Sequence, residues 1–376
     1  MRSLFVFSGL ASLKGPPIEA LRELRNRPEN VRFFATAFEA VTAAFDHVGP
    51  GAYRRYLPGG MPLERWLGGE EPAPAQRTHS VVDGICAHIY QLCLLQPQAG
   101  DPAQTPDDDG PGTGSRPVAT LGHSLGVQAA VAAALQVRRR RDFLRVSYDS
   151  IVLAAVILLR CHQVDAATPG PDDVRRRYLD RVPAGGSPPG PMAAVGGLTT
   201  AELGAMVAGH DRETHGPVEI AIVNSGRSHV LAGAPASLVA FWLDNEERLA
   251  ASKVRWSFLP STAPFHTSLM EPAVALLRAD EGFIGYNIAG GQLALPVYVA
   301  EAPHNLQDRP GSFGHFLEQA IARPVDWYAT VTTAVAASRP ELVIDFGPGP
   351  AARVFTRECL RQVGYSLRYR TVTHRR

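Results

Sequence analysis

Apolar and polar positions divide the chain into short apolar runs and longer amphipathic stretches. Leu4–Phe7 is an unbroken apolar run ending at Ser8-Gly9, the mark of a fully buried strand followed by a turn. Phe33–Phe45 and Val81–Leu95 place apolar residues at helical spacing, the second through Ile85, Ile89, Leu92 and Leu95, and predict core-facing helices. Val118–Leu121 is another short strand. It runs directly into Gly122-His123-Ser124-Leu125-Gly126 and an Ala/Val-rich helix, Val127–Val137, read as ending in Arg138–Arg141. A second strongly apolar helix is expected from Ser147 to Val164.

From Met192 to Pro260 the period alone parses the chain. Strand Met192–Val195, helix Thr199–Gly209, strands Val218–Val223 and His229–Gly233, helix Pro235–Leu249 and strand Val254–Leu259 follow one another. This β-α-β-β-α-β order is that of a ferredoxin-like unit. Patterning of the α/β kind resumes afterwards, with strands Pro296–Val299 and Leu342–Phe346 and helices Phe313–Ile321 and Val325–Ala337 between them. The expected fold is therefore α/β: an α/β-hydrolase-like core with a parallel sheet, residues 1–190 and 261–376, carrying a ferredoxin-like insertion, residues 191–260. Two Pro/Gly-rich stretches interrupt this pattern. Pro97–Arg116, with Asp107–Asp109, is expected to be a mobile surface insertion, and Thr168–Pro191 a separator.

Composition narrows the function classes. The 376 residues are 45% hydrophobic and 19% charged, which excludes a wholly disordered chain. Basic and acidic totals of 37 and 36 leave a net charge of +1, so no global field attracts a nucleic acid or a membrane surface. No apolar run approaches the roughly 18 residues of a membrane helix. Leu4–Leu10, broken by Ser8 and Gly9, reads as a strand and not a signal peptide. Cys86, Cys93, Cys161 and Cys359 are too few and scattered for a disulfide framework, and none has metal-site spacing. A soluble protein of the reducing cytoplasm is expected.

The segment Val118–Val137 is a strand, a Gly-x-Ser-x-Gly turn and a helix, the context of a nucleophile elbow. Glycines at 122 and 126 allow a turn sharp enough to project the Ser124 hydroxyl. The Leu125 N–H and the positive end of the following helix then face an oxyanion formed on an attacked carbonyl. An ordinary strand-to-helix turn is the plainer reading. A serine nucleophile needs a base, and His266 stands out because it follows a Pro-x-His turn at the exit from the insertion. His123, as the neighbour of the nucleophile, should point away from the Ser124 hydroxyl and is read as lining the pocket.

Gly122-His123-Ser124-Leu125-Gly126, Ala263-Pro264-Phe265-His266 and Asp345-Phe346-Gly347-Pro348-Gly349, in this order around a ferredoxin-like insertion, resemble the acyl-carrier-protein transacylase family, the malonyl/acyl transferase fold. The resemblance spans nearly the whole chain. In malonyl transferases of that family an arginine roughly 25 residues after the serine holds the malonyl carboxylate in a bidentate contact. Here position 149 is aspartate, which leaves two registers: Arg160 in the arginine's place, or Ile157 there with Arg160 outside the pocket. The second is preferred. With Trp66 and the helix Val81–Leu95 it makes the chain look most like the starter-unit:ACP transacylase domains of fungal non-reducing polyketide synthases.

The resemblance implies a ping-pong acyl transfer from an acyl-CoA or acyl-phosphopantetheine thioester, through acyl-Ser124, to an acyl carrier protein. It implies no bound cofactor or metal. His266 is implied as base in a dyad, oriented by a backbone carbonyl in Ala320–Arg323. Leu125 and Leu10 supply oxyanion N–H groups, and Gly9, Phe265 and Asn224 line the pocket, although Asn224 equally suits a hairpin turn. Two departures stand out: many starter-unit relatives carry cysteine where this chain has Ser124, and the glutamine usual in the turn after the first strand is absent from Phe7-Ser8-Gly9-Leu10. Arg138, Arg139, Arg140 and Arg141 read as a solvated helix end or as a docking patch for an acidic carrier protein. A malonyl-CoA:ACP transacylase and an α/β-hydrolase thioesterase are the alternatives. The chain ends at Arg376 without a carrier or ketosynthase segment, the pattern of a free-standing enzyme or of one domain of a longer synthase, whose other domains would then be partners.

Overall fold

A computed structural model describes residues 1–10, 17–71, 79–97, 115–164, 172–181, 187–286, 288–299, 304–309, 318 and 320–372. Its strands are β1 (Arg2–Phe7), β2 (Arg116–Gly122), β3 (Met192–Gly196), β4 (Val218–Ser225), β5 (Ser228–Gly233), β6 (Arg255–Phe258), β7 (Val297–Val299), β8 (His304–Asn305), β9 (Val325–Asp326), β10 (Leu342–Asp345) and β11 (Arg368–Thr371). They form two sheets.

The first sheet has the order β11-β10-β1-β2-β7-β8, parallel throughout except for the antiparallel β7–β8 pair. Its middle strand is buried from Ser3 to Phe7, as a parallel strand covered on both faces must be. Helices Val31–Val48 and Ser80–Leu94 pack against the long helix Arg140–Gln163 beside it, and helix Gly126–Ala134 packs on β2 and β1. Phe346 stacks on Phe7 with ring centroids 4.8 Å apart, fixing β10 to β1 near the turn that each strand feeds.

The second sheet has the order β6-β3-β5-β4-β9. β3, β4, β5 and β6 pair antiparallel, with helices Thr200–Ala208 and Pro235–Asp244 in the connections. One face carries a separate core that includes Leu203, Leu231, Leu238 and Phe241. A Thr199–Glu202 capping box starts the first of these helices.

Several sequence expectations change. The helix Pro235–Leu249 is broken at Asn245 into Pro235–Asp244 and Glu246–Ala251. Val325–Ala337 begins as β9, which pairs parallel with β4, and becomes helical only at Trp327, where Asp326 accepts from the Ala329 N–H as N-cap. Within Thr168–Pro191 lies a helix, Asp172–Leu179, whose Tyr178 packs into the second core. Arg138–Arg141 do not end a helix: Gly126–Ala134 stops earlier, Arg139 is an N-cap, and Arg140 and Arg141 open the helix Arg140–Gln163. Residues 98–114, most of the expected surface insertion, and most of the expected helix Phe313–Ile321 lie outside the described residues. Among the described residues no helix is long and apolar enough to cross a membrane.

Candidate active site

The elbow is built by close approach. A Cβ added to Gly122 would lie 2.1 Å from the backbone N and Cα of Val127, and one on Gly126 would lie 2.5 Å from the Phe7 carbonyl oxygen. No side chain fits at either position. Between them Ser124 adopts φ 54°, a left-handed conformation that costs a non-glycine residue energy and turns its hydroxyl out of the sheet. His266, at φ 64°, shares that strain. It is held by its own N–H, which donates to the Ile321 carbonyl at 2.7 Å.

The Ser124 Oγ lies 2.8 Å from His266 Nε2. His266 Nδ1 lies 3.1 Å from the Arg323 carbonyl, which can only accept, so Nδ1 carries the hydrogen and Nε2 accepts from the serine. The ring is buried. Burial, reinforced by the neighbouring His123, pushes its pKa down to about 4 against the pull of the Arg323 carbonyl, so the imidazole is neutral at pH 7. The carbonyl lies in the Ala320–Arg323 segment implied by the resemblance.

The loop before His266 is stapled to the main body. The Thr262 Oγ1 bonds His162 Nε2 at 2.6 Å and accepts from the Ser80 N–H at 3.2 Å, while the Thr262 N–H donates to the Ser80 Oγ at 3.0 Å. His162 in turn packs 4.3 Å from the His79 ring, and Tyr56 stacks on His79 at 4.2 Å.

Ser124 and His266 open into a cavity of about 190 Å³ between the two sheets, also lined by Gly9, Leu10, His123, Asn224 and Phe265. His123 points away from the serine: its Nε2 donates to the Asn224 Oδ1 on β4 at 2.8 Å, and its ring packs against Trp327 and Phe355. Leu10 lines the cavity and Leu125 is buried directly after the serine, and between β1 and the elbow the Gly9 backbone comes so close that an added Cβ would lie 2.7 Å from the His123 oxygen.

Ile157 does not line this cavity. It is 1% exposed in the core of the helix Arg140–Gln163, whose residues from Ser150 to Leu159 are all buried. Arg160 is not in the cavity either: it grips both carboxylate oxygens of Asp280 at 2.7 and 2.9 Å, and Asp280 also accepts from His47. Arg140 donates to the Glu29 carbonyl, while Arg138, Arg139 and Arg141 are exposed.

On the far wall of the cavity the sequence reading named Asn224 and missed its neighbours. Met192 and Ala194 on β3, Ile222 beside Asn224 on β4, and Ser228 and Val230 on β5 face it together. Their spacing of two along each strand is the signal that marks one face of a sheet. Asp83 and Ser80 at the start of the helix Ser80–Leu94 were also missed.

No family model matches the chain. Over 250 residues it is 28% identical to the fatty acid synthase subunit beta of Saccharomyces cerevisiae, a match covering 61% of this chain and 12% of that protein. The chain thus spans a small fraction of the curated relatives it matches. Among solved structures it is similar to the acyl-carrier-protein S-malonyltransferase of Burkholderia pseudomallei, with TM-score 0.61 and 22% identity over 99% of this chain and 96% of that one. A malonyl-transacylase in complex with its type II polyketide-synthase acyl carrier protein gives TM-score 0.60 at 16% identity, over 99% and 96% of the two chains. The mixed α/β architecture of this chain is therefore that of the acyl-carrier-protein transacylases.

Proposed function

We propose that the chain is a starter-unit acyltransferase of polyketide biosynthesis, moving a short to medium, non-carboxylated acyl group from a CoA or carrier-protein thioester to the phosphopantetheine thiol of an acyl carrier protein. The observation that carries this reading is the 2.8 Å contact between Ser124 and a carbonyl-oriented His266, opening on a cavity with apolar walls whose described lining residues include no arginine or lysine.

In the first half-reaction His266 Nε2 takes the Ser124 proton as Oγ attacks the thioester carbonyl. The N–H groups of Leu125 and Leu10 hold the oxyanion. The C–S bond then breaks, and the departing thiolate takes the proton from Nε2. In the second, the pantetheine thiol gives its proton to the same nitrogen and its sulfur attacks the acyl-serine ester. Ser124 leaves reprotonated. Burial disfavours the imidazolium at rest, and the oxyanion formed beside it stabilises it only while it is needed.

Residues 191–260 act in this reading as a ferredoxin-like insertion in a core of residues 1–190 and 261–376, supported by the strand order β6-β3-β5-β4. The carrier protein is the partner, with Arg138–Arg141 as one candidate contact. A malonyl-CoA:ACP transacylase is the second reading, favoured by the names of the similar structures. Arg160 disfavours it, being committed to Asp280. A hydrolase with a carboxylate-oriented histidine fits less well, because a carbonyl occupies that place.

Incubation with hexanoyl-CoA and malonyl-CoA side by side, read by intact mass, tests the proposal. A hexanoyl adduct that is lost in Ser124→Ala supports it. Preferential malonyl loading would replace it with the second reading, and a normal adduct on Ser124→Ala would remove the assigned nucleophile.

A further inference from the structure

We propose that the helix Ser80–Leu94 sets the geometry of the oxyanion hole, with Gln91 and Gly84 as its positioning residues; this rests on the reading of Ser124, Leu10 and Leu125 given above. The turn Ser8-Gly9-Leu10 contains no glutamine of its own, but one reaches it from this helix. Gln91 is 1% exposed, and its Nε2 donates to the Ser8 carbonyl at 2.8 Å and to the Gly347 carbonyl at 2.7 Å. Two amide hydrogens meet two acceptors, so the group has no alternative arrangement. Because a peptide unit is planar, pinning the Ser8 oxygen fixes the Ser8–Gly9 plane and with it the departure of the next peptide, which carries the Leu10 N–H.

The second carbonyl extends the clamp. Gly347 also accepts from the Ser8 N–H at 3.4 Å, and the Ser8 Oγ donates to the Gly349 carbonyl at 3.2 Å. The turn after β1 and the turn after β10 are thus tied to one another and to one buried side chain.

Two turns earlier on the same helix stands Gly84. A Cβ there would lie 2.8 Å from the Leu10 Cδ2, 3.1 Å from the Leu125 Cδ2 and 2.6 Å from the Leu158 Cδ1. The side chains of both donor residues therefore rest on one glycine, and a methyl added there pushes on both at once. An oxyanion hole works only with donors at about 2.7–3.1 Å from the developing charge, so a small displacement of either leucine removes most of its effect.

The test is single-turnover acylation of Ser124 by hexanoyl-CoA, read by intact mass over a concentration series. Gln91→Met keeps length and removes both donors. It is expected to lower the maximal acylation rate about 10- to 100-fold and to leave the half-saturating concentration within about twofold. Gly84→Ala should do the same, and the double variant should be little worse than the poorer single one, because both act through one hole. Gln91→Glu should regain rate as pH falls, since a protonated carboxyl recovers one donor. Wild-type maximal rate in folded Gln91→Met overturns the proposal. Should Gln91→Met not fold, Gln91→Glu decides, and a rate that does not rise as pH falls overturns the proposal. Failure of the wild-type protein to form acyl-Ser124 is a separate result that overturns the reading of the site itself.

Discussion

His266 donates its Nδ1 hydrogen to the Arg323 carbonyl, and that contact decides which nitrogen faces Ser124. A carboxylate in the same place would raise the basicity of the ring. A neutral carbonyl leaves burial in control, and the pKa stays near 4. Acylation should therefore be flat from about pH 5.5 to 8 and fall only as pH approaches 4, where Nε2 becomes protonated. A pH series of single-turnover acylation checks this, and an acid limb at the ordinary histidine value of 6.5 would contradict it.

Strain at the nucleophile separates activity from stability. Ser124→Gly relieves a left-handed conformation at φ 54° and is expected to be inactive yet more stable by on the order of 1 kcal/mol. Gly126→Ala drives a methyl to 2.5 Å from the Phe7 oxygen and should cost about 3 kcal/mol. Denaturant unfolding of the two variants beside wild type gives both signs.

Arg160 is assigned to structure and not to substrate. Arg160→Ala leaves the 5% exposed Asp280 with His47 as its remaining named partner and is expected to lower stability by about 2–3 kcal/mol. The ratio of hexanoyl to malonyl loading should not move. A change in that ratio would return Arg160 to the acyl pocket.

Acid should weaken the fold through its buried histidines. Burial holds His79 and His88 at about 3 and His162 and His266 at about 4, so each stays neutral in the folded chain while its unfolded counterpart takes up a proton below 6.5. Stability is therefore full above about pH 6.5 and falls toward 4, by up to about 1.4 kcal/mol per pH unit for each such histidine. Denaturant midpoints across that range should show the slope, and His162→Gln should reduce it by one proton's worth.

The elements that place Ser124 were legible because each has a short, unambiguous pattern: a buried apolar run in β1 and β2, and glycines where no side chain fits. His266 could be singled out by its turn, and its carbonyl partner only through the resemblance. Ile157 was misplaced for a physical reason. A helix buried all round, as Arg140–Gln163 is from Ser150 to Leu159, has no polar face to show which side meets a cavity. The Arg160–Asp280 pair spans 120 positions, and no local period encodes it. β9 is two residues long, too short to alternate, yet it joins the second sheet just after Arg323.

That junction has a mechanical consequence. Ser124 rides on the first sheet, while the carbonyl that aims His266 stands two residues before a strand of the second. The bond between serine and histidine therefore works like the tips of a calliper, held shut by the Thr262 bonds to Ser80 and His162 that fasten the histidine loop to the main body. Proton transfer is in that sense geared to how firmly the cleft is held.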